Sequence, residues 1–118
     1  MTRRRPALRV VLVTAPPRRA RFIALALVGR RLAACANLVP GVRSIYRWKG
    51  RVEEANETLL VLKTTAARLP DLYAALPGLH PYEVPEGIAL PVGEALGSYA
   101  AWVEEETRRP ARRATRRR

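Results

Sequence analysis

From Leu32 to Leu62 the chain carries strand signals with one tight interruption, and this stretch limits the folds open to it. Leu32–Leu38 is small and apolar, Pro40-Gly41 breaks the run, and Val42–Trp48 continues it. We read one long strand bent or bulged at Pro40-Gly41, because proline cannot donate to a ladder. Lys49-Gly50 supplies a turn, with glycine free to take positive φ. Arg51–Glu57 then leads back into the apolar run Thr58–Leu62. The product is a long β-hairpin, charged in its outer half and apolar in its inner half. On the outgoing strand Val42, Ser44, Tyr46 and Trp48 share one face, and Arg43, Ile45 and Arg47 the other. Glu53, Glu54 and Glu57 are expected to pair with Arg43, Arg47 and Arg51, each exposed pair contributing roughly a few tenths of a kcal/mol.

Other elements flank this hairpin. Leu8–Thr14 is a β-branched run, read as a central strand covered on both sides. Pro17 suits a first helical turn, where its missing N–H costs nothing. Ala20, Ile23, Ala24, Leu27 and Val28 then recur at helical spacing. Thr64-Thr65 reads as a helix start, Leu69, Leu72, Tyr73 and Leu76 as its stripe, and Pro77-Gly78 as its end. Gly87–Val92 is a short strand, placed near a sheet edge by Pro91. Ser98 is read as the cap of a last helix with Tyr99, Trp102 and Val103 on one face. Glu104–Glu106 sit at its unfavourable C-terminal end, with Arg108 and Arg109 to compensate. The order βαββαβ plus a terminal helix predicts an α+β, ferredoxin-like fold, a four-stranded antiparallel sheet with helices on one face. A hairpin this long exposes main-chain edge, and self-association into a closed ring is the expected remedy.

Charge is distributed unevenly. The formal net charge is +12, but four basic residues lie in 1–9 and seven in 108–118, leaving eleven basic against ten acidic residues between them. We therefore divide the chain into a basic arm (1–7), one domain (8–107) and an Arg-rich tail (108–118) expected to be disordered. No recognition-helix, zinc-finger or aromatic-rich RNA-binding pattern accompanies the tails. No apolar run reaches the roughly 18 residues of a membrane span. A single cysteine, Cys35, leaves no internal disulfide and points to a reducing, cytoplasmic setting.

The only histidine lies in Leu79-His80-Pro81-Tyr82-Glu83-Val84-Pro85-Glu86. Each proline fixes its own φ and biases the residue before it toward extended backbone, so this segment is a stiff strap. Imidazole, phenol and carboxylate on a stiff strap fit ligand presentation; they equally fit a rigid connection whose histidine is a structural hydrogen-bonding group. Tyr82 and Trp48 read as core or interface aromatics as readily as ligand platforms. Cys35 reads as a small packed side chain, with thiol chemistry as the alternative. Lys63 either reaches solvent or holds an anion, and Glu83 has Lys63 or an arginine as its expected partner.

The segments VVLVTAPP (10–17), RLAACANLVPGVRSIYRWKG (31–50), LLVLKT (59–64), LHPYEVPE (79–86) and ALPV (89–92) together resemble the CutA family of divalent-cation tolerance proteins. The resemblance spans 8–107 and implies a ferredoxin-like, PII-like protomer in a tight cytoplasmic homotrimer, with copper binding and no established catalysis. In copper-binding members the ligands are a first-strand cysteine and two adjacent histidines before P-Y. Here Val13 and Leu79 occupy two of those positions, and only His80 remains. The implied site for Cu(II) or another divalent cation is weak, with Glu83, Glu86 or other protomers' His80 completing it.

Three functions are weighed on these grounds. The first is a trimeric metal-responsive or small-ligand-binding protein with a pocket formed by the strap, Trp48, Lys63 and Tyr99. An enzyme is not expected, because no nucleophile sits in an activating motif and no Gly-rich phosphate cradle is present. The third is a scaffold or PII-like signalling trimer whose basic tails bind nucleic acid or anionic membrane.

Overall fold

The computed structural model describes residues 6–110; the outer parts of both tails, 1–5 and 111–118, lie outside the described residues. The elements are β1 (Leu8–Ala15), α1 (Pro17–Gly29), β2 (Cys35–Trp48), β3 (Arg51–Thr65), a short 3-10 turn (Ala66–Arg68), α2 (Leu69–Leu79), β4 (Ile88–Pro91) and α3 (Gly97–Glu106). The sheet is antiparallel throughout, in the order β2-β3-β1-β4. This is the ferredoxin-like arrangement expected from the element order.

The long hairpin forms because β-branched and aromatic residues flank a turn that the backbone takes easily. Lys49 and Gly50 both have positive φ, 49° and 81°, the conformation of a two-residue hairpin loop. The register runs unbroken except between Val39 and Val42, where Pro40 and Gly41 together oppose the single residue Thr58 and Gly41 has φ 76°. Residues 32–34 belong to the turn before β2 rather than to the strand, because the backbone of Leu32 and Ala33 closes onto Leu27 O.

Strand alternation sorts the side chains to two faces. Val11, Val13, Ala15, Leu60 and Leu62 share the face that packs on Ile23 and Leu27 of α1 and on Leu72 and Leu76 of α2, and form the main core. Leu8, Val10, Leu12 and Thr14, with Leu59, Val61 and Lys63, point the other way. Contrary to the expectation of helices on one face, α3 is anchored on this second side. Its Val103 packs with Leu8 and Ala34 in a separate small cluster, and Tyr99 meets Cys35.

Several local expectations are corrected. Thr64-Thr65 does not open α2 itself: both residues end β3 opposite Arg9 and Leu8, Thr65 leads into the 3-10 turn without a side-chain cap, and the buried Thr64 hydroxyl donates to Leu32 O at 2.7 Å. α2 does not stop at Pro77-Gly78 but runs on to Leu79, whose burial holds the last turn against the core. Ser98 is not a cap, since α3 already begins at Gly97 and no side chain caps it. At the other end of α3, Arg31 supplies the compensation by donating to Glu105 O at 2.7 Å and Arg108 O at 3.3 Å. Arg108 pairs with Glu105, and Arg109 pairs with Asp71 at 2.8 Å, so the first tail residues are tied to the domain.

Candidate functional site

A cleft of about 710 Å³ lies between the hairpin and the strap. Ser44, Tyr46 and Trp48 of β2, Glu57 of β3 and Thr14 of β1 form one wall; Pro81, Tyr82, Glu83, Val84 and Glu86 form the other. Pairing of Val42 with Glu57 and Tyr46 with Glu53 places these β2 residues on the same face as Glu57. The strap reaches them because α2 delivers it past the end of β1. Its exit is close-packed: a Cβ on Gly87 would come within 3.1 Å of Leu76 Cδ2.

His80 ties the strap to the sheet. It is buried at 6% exposure, and its Nε2 lies 2.8 Å from Thr14 O, which can only accept. Nε2 is therefore the protonated nitrogen, and Nδ1 accepts the Tyr82 amide at 3.2 Å. Both nitrogens are thus engaged, the structural role foreseen as one reading of this residue. Val13 and Leu79, at the other two positions of the copper pattern, are buried in the apolar core. Among the described residues no group of three His, Cys, Asp or Glu side chains could hold a metal.

Tyr82 binds Glu57. The phenol donates to Glu57 Oε2 at 2.6 Å, and Glu57 is only 4% exposed. Burial, followed by the hydrogen bond to Glu57 and that carboxylate's charge, pushes the Tyr82 phenol far above its ordinary value. Glu57 is thus not part of a cross-strand ion ladder; of the expected pairs only Arg43–Glu54 forms, at 3.8 Å and in solvent. Glu86 accepts from the Thr14 hydroxyl at 3.1 Å. Glu83 finds Lys49 at 3.9 Å rather than Lys63, both side chains being largely exposed.

The expected pocket residues therefore fall into two groups. Trp48, Tyr82 and Glu83 line the cleft, whereas Lys63, Tyr99 and Cys35 gather at the other end of the sheet. There Lys63 donates to Asn37 Oδ1, and Cys35 Sγ lies 3.5 Å from the Tyr99 hydroxyl. Cys35 is half-buried rather than sealed in the core. Burial, then the contact with Cys35, raises the Tyr99 phenol to about 12. Glu57 is the charged cleft group that sequence reasoning did not assign to the pocket, whereas Glu86 was expected there as part of the strap. An acid at the junction of the charged and apolar halves of the hairpin was the only available sign for Glu57.

These features define a ferredoxin-like domain whose second sheet face carries an acidic, aromatic cleft closed by a proline-framed strap. The sequence profile of the CutA1 divalent ion tolerance protein family matches residues 9–106, and the chain belongs to that family. It is 52% identical over 99 residues to the divalent-cation tolerance protein CutA of Thermus thermophilus, across 83% of this chain and 96% of that protein. It is 47% identical over 96 residues to human protein CutA, across 80% of this chain but only 54% of the human protein, so it spans about half that relative's length. The crystal structure of CutA1 from Oryza sativa superposes with a TM-score of 0.85 at 37% identity, covering 88% of this chain and 96% of that one.

Proposed function

We propose that this chain acts in divalent-cation tolerance as a homotrimeric, non-enzymatic binding protein of the cytoplasm. Membership of the CutA1 family over residues 9–106 carries this reading. A trimer is supported by the apolar band left on the second sheet face: Val10, Leu12, Leu59 and Val61 are half-buried, while Ile88 and Leu90 are 51% and 47% exposed. Register places Ile88 beside Leu12 and Leu90 beside Val10, so the band is continuous and suits burial against other copies. No helix among the described residues is long and apolar enough to cross a membrane.

Cu(II) or another divalent cation binds weakly in this reading. It meets the strap carboxylates Glu83 and Glu86, and His80 joins only if Nδ1 gives up the Tyr82 amide. Sedimentation equilibrium with a parallel Cu(II) titration tests the proposal. A trimer with weak, saturable binding that falls in Glu86→Gln is the expected outcome. A monomer at micromolar concentration removes the assembly, and binding unchanged by both His80→Ala and Glu86→Gln removes the strap from the metal chemistry.

A further inference from the structure

The cleft is chemically at odds with the rest of the molecule. Across a chain of net charge +12, its lining contains Glu57, Glu83 and Glu86 and no lysine, arginine or histidine. Glu57 is the informative member. A carboxylate almost fully removed from water needs a compensating charge or full hydrogen bonding. The Tyr82 phenol satisfies Oε2, yet among the described residues no cationic side chain lies within ion-pair distance of Glu57. Glu57 is not left with a sealed, unsatisfied oxygen, and it lines the cleft, where its carboxylate can meet a ligand. The same cleft is lined by the rings of Tyr46, Trp48 and Tyr82, whose negative faces attract cations and whose area suits hydrocarbon. The volume of about 710 Å³ is that of a small-molecule site.

A divalent ion held weakly by Glu83 and Glu86 on the strap leaves Glu57 and the aromatic walls unused, since it needs converging oxygen or nitrogen donors and gains little from rings. An organic cation uses every feature present. We propose that the cleft binds a small organic cation, an alkylammonium or guanidinium group, with its charge on Glu57 and its hydrocarbon part against Trp48 and Tyr46. The reading stands apart from metal tolerance and is tested without metal. The cation has two possible sources, a free amine or an arginine side chain from the chain's own tail, where Arg112, Arg113, Arg116, Arg117 and Arg118 lie.

The test is calorimetric titration of the full-length protein, in chelator, with butylammonium, L-argininamide and the neutral control 1-butanol. Both cations are expected to bind, and 1-butanol at least about tenfold more weakly. Glu57→Gln keeps an acceptor for the Tyr82 phenol and removes the charge, and is expected to weaken cation binding about tenfold or more. Trp48→Ala, at a half-exposed position that does not threaten the fold, is expected to cost about three- to tenfold. A full-length variant with those five tail arginines changed to serine separates the sources. Tighter binding of free cations than in the parent identifies the tail as the resident occupant, and unchanged binding identifies a free amine. Equal affinity for butylammonium and 1-butanol, or cation binding that survives both Glu57→Gln and Trp48→Ala, overturns the proposal.

Discussion

On the face of the sheet covered by α1 and α2, Val11, Val13, Leu60 and Leu62 are completely buried, whereas on the opposite face the same two strands leave Val10, Leu12, Leu59 and Val61 only partly buried. The first face is complete within one chain. The second is finished only in patches, by α3 at one end and the strap at the other, and between them it is bare hydrocarbon. Alternation along a strand makes both faces from one sequence, so β1 and β3 encode a core and an interaction surface together. That pairing explains why a small domain carries its polar chemistry on the side away from α1 and α2.

The contrast is broken most directly by truncation on each side. Leu60→Ala opens a cavity in the closed core and is expected to cost about 3 kcal/mol in urea unfolding. Leu12→Ala is expected to cost less than half of that in the isolated chain and to lower the protein concentration dependence of unfolding. Equal losses at both sites would show that the faces are not distinct. A smaller effect sharpens the account of the cleft: Tyr82→Phe leaves Glu57 without its donor and is expected to cost about 1–2 kcal/mol, read by the same unfolding curves.

The raised tyrosine values give an alkaline signature. Tyr82 and Tyr99 hold their protons more tightly in the fold than an ordinary tyrosine, which titrates near 10. Their contribution is whole below about pH 10 and is lost as pH climbs through the folded values, Tyr99 at about 12. Unfolding midpoints followed from about pH 8 to 11 should therefore fall at the upper end, and fall less in Tyr82→Phe. The least consequence is expected from Arg43→Ala, whose partner Glu54 is equally in water, with a change within about 0.5 kcal/mol.

What was readable beforehand follows the range of the interaction. The strands, α1 and the Lys49-Gly50 turn are set by neighbours a few residues away, and all were legible. Thr64-Thr65 misled because a threonine pair looks the same before a helix and inside a strand; only Leu32 O, 32 residues away, decides between them. The placement of α3 was invisible for the same reason, since its apolar residues do not say which sheet face they cover. The prolines around His80 located the strap, yet the pocket assigned to it grouped Lys63 and Tyr99 with Trp48 across the length of the sheet. Glu57 escaped because its burial is created by Tyr82, 25 positions on, folding over a hairpin that reads as solvent-exposed.

The irregularity at Pro40-Gly41 has one further effect. Val39 faces Leu59 and Val42 faces Glu57, so β2 advances three residues while β3 advances two. An odd offset inverts the parity of everything beyond it: odd-numbered β2 residues point to the second face before the irregularity, and even-numbered ones after it. Were alternation carried unbroken through those residues, Tyr46 and Trp48 would lie on the opposite side, with Ile45 and Arg47 in their place. The aromatic wall of the cleft is thus written less in the identity of its rings than in the count of residues leading up to them.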